Sequence, residues 1–141
     1  MTPGKAALLT IALALPAALV QAQAQALAAP PRAVPVEVGG SEEWDACGST
    51  GRVRGLKADG DGFLAVRAGP GADYAMLDKL GNGRLVYLCG SRGRWTAVVY
   101  APAGADASAC GVSWAIAEAE VYRGPCKSGW VNTAWIEVVA G

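Results

Sequence analysis

The sequence has no histidine and only four cysteines among its 141 residues. Without histidine, the Ser-His and Cys-His nucleophile arrangements of many hydrolases are excluded. The cysteines contain no C-x-x-C pair, which disfavours zinc binding, haem attachment and thioredoxin-like redox chemistry. No two acidic residues lie in a recognisable hydrolase motif. The sequence therefore predicts a protein that is not an enzyme and that holds no metal or cofactor.

An excess of charge of one sign is also missing, since twelve basic residues are matched by twelve acidic ones. Binding to nucleic acid or to an anionic membrane surface needs clustered Lys and Arg side chains that displace counterions. We therefore expect no nucleic-acid partner.

Long apolar runs are confined to the beginning of the chain, where Lys5 is followed by an apolar run over residues 6–20 and then by alternating Ala and Gln. This order is typical of a secretory signal peptide, which we expect over residues 1–28. An uncleaved anchor is the alternative, although the run is shorter than the ~20 residues of a spanning helix. No later stretch could span a bilayer, so we expect a periplasmic or secreted protein. The possible cleavage positions follow Ala22, Ala24, Ala26 and Ala28.

Past this leader, the amino-acid composition of the chain changes twice. Residues 29–43, APPRAVPVEVGGSEE, are rich in proline and glycine and predict a linker outside the core. From Trp44 onward, short runs of β-branched and aromatic residues alternate with turn residues, which predicts an all-β domain over residues 44–141. Residues 114–121, WAIAEAEV, favour either a short helix or an extended arm. The predicted strands cover residues 63–67, 84–89, 95–100, 130–133 and 135–139.

Three segments carry a family resemblance: LAVRAGPGADY at residues 64–74, LGNGRLVYLCGSRGRWTAVVY at 80–100 and SGWVNTAWIE at 128–137. Together they resemble a bacterial SH3 domain, a module of exported cell-envelope proteins. The matching hallmarks are Val66-Arg67-Ala68-Gly69-Pro70-Gly71, Tyr74, the turn at Leu80, Trp95 and Gly129-Trp130-Val131. The resemblance covers about residues 53–139 and implies a small SH3-like β-barrel of five to six strands.

Residues 101–128 depart from the family pattern, which has a tight hairpin turn at this place. An even number of cysteines in an exported chain predicts two disulfides, and four cysteines allow three connectivities. Cys110 and Cys126 flank the insertion, so we expect them to clamp it. The remaining pair, Cys47 and Cys89, would then tie the lead-in to a central strand.

The Gly69-Pro70-Gly71 turn is not expected to hold a phosphate, because it lacks the lysine and the helix of a P-loop and its proline has no N–H donor. We expect a turn from which Arg67 reaches back to loop carbonyls or a carboxylate. The segment KADGDGF at residues 57–63 is faintly like the start of a calcium loop. It lacks the later ligands and the closing glutamate, which favours a solvated turn around Asp59 and Asp61.

Five tryptophans are many for a chain of this size, and Trp and Tyr side chains suit ligand grooves as well as cores. Trp95 and Trp130 begin strands, which favours the core, and Tyr74 is expected to be partly exposed. The resemblance implies a non-catalytic module that binds a peptide or peptidoglycan in a groove. The alternative is an interaction or inhibitor-type protein that contacts another envelope protein through residues 101–128. The groove residues that the resemblance implies are Asp73, Tyr74, Asp78, Trp95 and Trp135.

Overall fold

The computed structural model describes residues 2–7, 9, 11, 29–60 and 62–141. Most of the expected signal peptide, its four cleavage positions and Asp61 lie outside the described residues. In the ranges that are described, the search for a helix both long and apolar enough to cross a membrane finds none.

The described chain is almost entirely made of β-strands and turns, which confirms the predicted all-β class. All strand pairs are antiparallel. The strands are β1 (Glu37–Val38), β2 (Ser41–Asp45), β3 (Ser49–Val53), β4 (Leu64–Arg67), β5 (Met76–Leu80), β6 (Leu85–Arg92), β7 (Trp95–Tyr100), β8 (Ala115–Ile116), β9 (Glu120–Val121), β10 (Lys127–Asn132) and β11 (Ile136–Ala140).

Seven of these strands form the main sheet, in the order β11-β3-β6-β7-β10-β4-β5. The sequence predicted a barrel of five to six strands, whereas this sheet has seven strands and two open edges, at β11 and β5. All five predicted strands are present, with small shifts at their ends. The prediction omitted β3 and β5: STGRV contains serine and glycine, which favour turns, and MLDKL has no β-branched or aromatic residue.

One face of the main sheet carries what we call the first core. Strand alternation places Val66, Val98 and Val131 on this face, and each is completely buried. Val53 of β3 and Leu80 of the edge strand β5 belong to the same cluster although they are far apart in the strand order. The sheet therefore curves around this face, so that its own strands close the first core.

The opposite face is covered by residues 34–47 and 101–126, which we call the covering layer. Val36, Val38 and Val112 of this layer pack against the sheet in a second core that also contains Val99 and Trp130. The prediction that residues 29–43 lie outside the core was therefore wrong for Val36 and Val38, which are buried. The prediction failed because the prolines and glycines around these valines are typical of a linker.

Short strands join the two halves of the covering layer. β1 pairs with β9 through Glu37 and Val38, and β2 pairs with β8. The helix considered for residues 114–121 is absent, and the extended alternative is confirmed. Pairing with the lead-in overrides the helical preference of Ala and Glu in this segment.

Two disulfides fasten the covering layer, and they join the pairs that the sequence analysis expected. Cys47 is bonded to Cys89 of β6, and Cys110 is bonded to Cys126 within the insertion. Their sequence separations, 42 and 16 residues, correspond to roughly 3–4 kcal/mol of chain-entropy stabilisation each. Two disulfides in so small a domain indicate an oxidising environment outside the cytoplasm.

Candidate functional site

A groove lies on the main sheet and has a volume of about 320 Å³. It contains two of the five predicted site residues, Trp95 and Trp135. Trp135 is 39% exposed, and Trp95 is half-buried. The groove is lined by Phe63, Leu64, Ala65, Arg67, Met76, Trp95, Asn132 and Trp135.

Strand register brings the two tryptophans to the same place. Trp95 begins β7 and is paired with Asn132 at the end of β10. The Asn132 side chain then accepts a hydrogen bond of 3.0 Å from the backbone N–H of Ala134, which caps the short 3-10 turn at Thr133–Trp135. Trp135 is therefore presented by a capped turn directly after the strand that pairs with Trp95.

The rest of the turn is also fixed. The hydroxyl oxygens of Thr96 and Thr133 are 2.7 Å apart, and the backbone N–H of Arg54 donates to the Trp135 carbonyl at 3.0 Å. Gly55 has a positive φ of 81°, and a Cβ atom there would contact the Trp135 ring at 3.6 Å. These contacts fix the backbone of the turn that carries Trp135, which limits the conformational entropy that is lost when a ligand binds.

Arg67 gives the groove a positive charge. One of its terminal nitrogens, Nη1, donates to the Tyr74 carbonyl at 3.1 Å. Arg67 therefore reaches back to a loop carbonyl, which was one of the two predicted partners. Its Nε is buried and has no hydrogen-bond partner among the described residues. The Lys79 ammonium lies 4.5 Å from the centre of the Phe63 ring, so a second cation adjoins the lining. The described lining includes no acidic residue.

The other three predicted residues do not line the groove. The ring of Tyr74 is half-buried and packs on both glycines of the turn: a Cβ atom at Gly69 would collide with it, and one at Gly71 would lie 3.1 Å from it. Tyr74 therefore holds the Gly-Pro-Gly turn together. Asp73 is exposed on the same turn, and its Oδ1 atom lies beside Gly71.

Asp78 faces the first core, where it joins three strands of the main sheet. It accepts hydrogen bonds from the Tyr100 hydroxyl at 2.9 Å and from the Lys127 ammonium at 3.1 Å. Burial raises the pKa of Asp78, but hydrogen bonds from the Lys79 backbone, Tyr100 and Lys127 outweigh that effect, so the pKa is lowered from 3.8. Burial, followed by the hydrogen bond to Asp78, raises the pKa of Tyr100. These contacts give Asp78 a structural role in this arrangement.

Six residues that line the groove were not among the predicted site residues: Phe63, Leu64, Ala65, Arg67, Met76 and Asn132. Alternation along β4 was the available signal for Ala65 and Arg67. Leu64 and Val66 are buried in the first core, so Arg67 and its neighbour Ala65 must project from the other face. Met76 could not be placed, because its strand was not predicted.

Trp130 has the core position that the sequence favoured. It is 4% exposed, and its indole N–H donates to the Val34 carbonyl at 2.8 Å. The Arg92 guanidinium lies 5.4 Å from the centre of its ring. These contacts satisfy the indole N–H, so Trp130 anchors the covering layer to the sheet.

The chain was compared with known protein families, with characterised proteins and with solved structures, and none of them matches it.

Proposed function

We propose that this protein is an exported, non-catalytic binding module whose groove at Trp95 and Trp135 holds an extended peptide, such as the peptide part of peptidoglycan. The observation that carries the proposal is the lining itself, in which two tryptophans, a phenylalanine and a methionine surround one arginine. Rigid aromatic side chains bury much ligand surface at little entropic cost. Arg67 adds a charged donor that can orient a ligand carbonyl or carboxylate.

The same proposal extends to the fold and the location of the protein. The proposal that the chain folds as a bacterial SH3 domain is supported by the order of the sequence hallmarks and by the curvature of the sheet around its own first core. Export to the periplasm or the medium is supported by the two disulfides and by the leader-like sequence of residues 1–28. No catalytic step is proposed, because the groove lining offers no pair of acid and base groups.

Retention on purified sacculi tests this function. Trp135→Ala removes the most exposed aromatic ring of the groove, and we expect the retained fraction at limiting ligand to fall about tenfold. Trp114→Ala is the matched control, because Trp114 is an exposed tryptophan that lies outside the groove. Equal retention of the wild type and the Trp135 variant would contradict the proposal. So would an equal loss in both variants.

A second candidate function uses the insertion as a contact surface for another envelope protein. The supporting observation is Trp114, which is 56% exposed. Deleting residues 101–128 would not test this function, because Cys110 and Val112 belong to the second core. Trp114→Ala is the appropriate change. If the insertion is the contact surface, this variant loses a co-purifying envelope protein while its retention on sacculi is unchanged.

A further inference from the structure

A second cavity lies between the covering layer and β3, and it has a volume of about 400 Å³. None of its described lining residues belongs to the groove at Trp95 and Trp135. The cavity is therefore separate from the site of the proposed function. Its lining includes Glu43, Trp44, Asp45, Ser49, Thr50 and Ser113.

Trp44 is the dominant apolar surface of this cavity. Its side chain is 71% exposed, the largest exposed fraction among the five tryptophans. An indole ring that folding leaves in water contributes little to the core, and its negative face attracts cations. The cavity is therefore a place where a cation can lose part of its hydration against an aromatic surface.

The charges of the lining favour the same class of ligand. Glu43 and Asp45 flank Trp44 in the sequence and are both exposed, whereas the described lining includes no lysine or arginine. Ser49, Thr50 and Ser113 add hydroxyl oxygens that can accept hydrogen bonds from an ammonium or guanidinium group. The groove has the opposite character, with a cation and no acid in its described lining.

The backbone of β2 makes recognition through a side chain more favourable than recognition through an added strand. The N–H groups of Glu43 and Trp44 already donate to the Ser41 hydroxyl, at 3.1 and 3.2 Å. They are therefore not free to pair with the main chain of a partner, as strand addition requires. A long side chain that enters the cavity needs no such bonds.

We propose that this cavity binds a lysine or arginine side chain of a partner polypeptide. The charged end lies against the Trp44 ring, and Glu43 and Asp45 supply the compensating negative charge. Lys and Arg carry apolar stems that pack on aromatic surface while their charged ends remain hydrated or paired. A volume of about 400 Å³ accommodates such a stem as well as its head group.

An NMR titration of the full chain with a capped pentapeptide, Gly-Gly-Lys-Gly-Gly, tests the assignment at low ionic strength. We expect the indole N–H signal of Trp44 to shift, and the affinity to fall at least about fivefold in Trp44→Ala and in the double variant Glu43→Gln/Asp45→Asn. Leu77→Ala, which replaces an exposed residue outside the described linings of both the cavity and the groove, should bind the peptide as the wild type does. Added salt should weaken binding, because the charges involved are exposed.

The same peptide with norleucine in place of lysine keeps the apolar stem and removes the charge. Equal binding of the two peptides would overturn the proposal. Binding of N-acetylglucosamine at Trp44 without binding of the lysine peptide would also overturn it and would indicate a carbohydrate site. Trp44→Phe keeps an aromatic ring and should retain most of the affinity, which separates loss of the ring from any disturbance of β2.

Discussion

The two faces of the main sheet are covered in different ways. The first core is closed by the sheet's own strands, and Val53, Leu80 and Val98 meet there through curvature and alternation. The second core depends on the covering layer, in which β1, β8 and β9 have only two residues each. Such short pairs provide few backbone hydrogen bonds, and both disulfides of the described chain fasten this layer. Cross-links thus supply the stability that long strands supply on the other face.

The candidate groove lies where these two faces meet. Leu64 belongs to the first core and also lines the groove, whereas Trp95 packs partly against the second core. The groove therefore depends on both cores. Substitutions that affect only one core show how much each core contributes to the free energy of unfolding.

The largest effect is expected when the covering layer loses its bond to the sheet. Replacing both Cys47 and Cys89 by serine opens a cross-link across 42 residues. We expect the free energy of unfolding, measured with urea, to fall by about 4 kcal/mol because the unfolded chain gains conformational entropy. Hydrogen exchange should increase more at the amides of Val34 and Tyr122, which bond the covering layer, than at those of the first core. Uniform acceleration of both sets would contradict the separate roles of the two cores.

The next largest effect is expected in the first core. Leu80→Ala removes a side chain that is 1% exposed, and it should lower the free energy of unfolding by about 3 kcal/mol through lost burial and a cavity. Leu77→Ala on the same strand is the control, because Leu77 is 58% exposed and should change stability by no more than about 0.5 kcal/mol. Similar losses for the two variants, in the same urea experiment, would show that β5 does not close the first core.

A smaller effect is expected where two strands approach closely. A Cβ atom at Gly129 of β10 would collide with the Val66 side chain and lie 2.9 Å from the Arg67 carbonyl oxygen. Gly129→Ala should therefore lower the free energy of unfolding, measured with urea, by about 2 kcal/mol through overpacking. A Cβ atom at Gly90 in β6 would have no atom within 4 Å among the described residues. Gly90→Ala should therefore leave the free energy of unfolding unchanged or raise it slightly. A neutral Gly129 variant would argue against this packing of β4 on β10.

The smallest effect concerns Asp78 and depends on pH. The pKa of Asp78 is lowered in the folded protein, so its contribution to stability is present above the unfolded pKa and is lost as the pH falls through the folded pKa. Asp78→Asn should cost about 1 kcal/mol at pH 7. Urea unfolding of both proteins from pH 7 down to about pH 2 should show this difference shrinking below about pH 4. A difference that stays constant with pH would contradict the contacts with Tyr100 and Lys127.

Much of the first core could be predicted from the sequence, whereas little of the second could. Val66, Val98 and Val131 lie in three of the apolar runs that were predicted to be strands. Val36 and Val38 are set among prolines and glycines, and their burial depends on pairing with a strand more than eighty residues away. Only the cysteines pointed to that long-range contact, because a disulfide fixes proximity whatever the local sequence prefers.

The candidate site, like the two cores, could be predicted only in part from the sequence. All five candidate residues were assigned by resemblance, and two of them, Trp95 and Trp135, lie in one groove. Asp73 and Tyr74 instead contact glycines of their own turn, and Asp78 bonds to Tyr100 of a different strand. Local pattern shows which face of a strand a side chain occupies, but not what lies opposite that face.

The most direct test of the proposed groove follows the indole N–H signals of all five tryptophans while a peptidoglycan stem peptide is added. The account predicts that the Trp95 and Trp135 signals shift together and saturably. The Trp130 signal should stay in place, because its N–H is buried and bonded to Val34. Shifts confined to Trp44 or Trp114, or no shift at saturating peptide, would contradict the groove as the binding site.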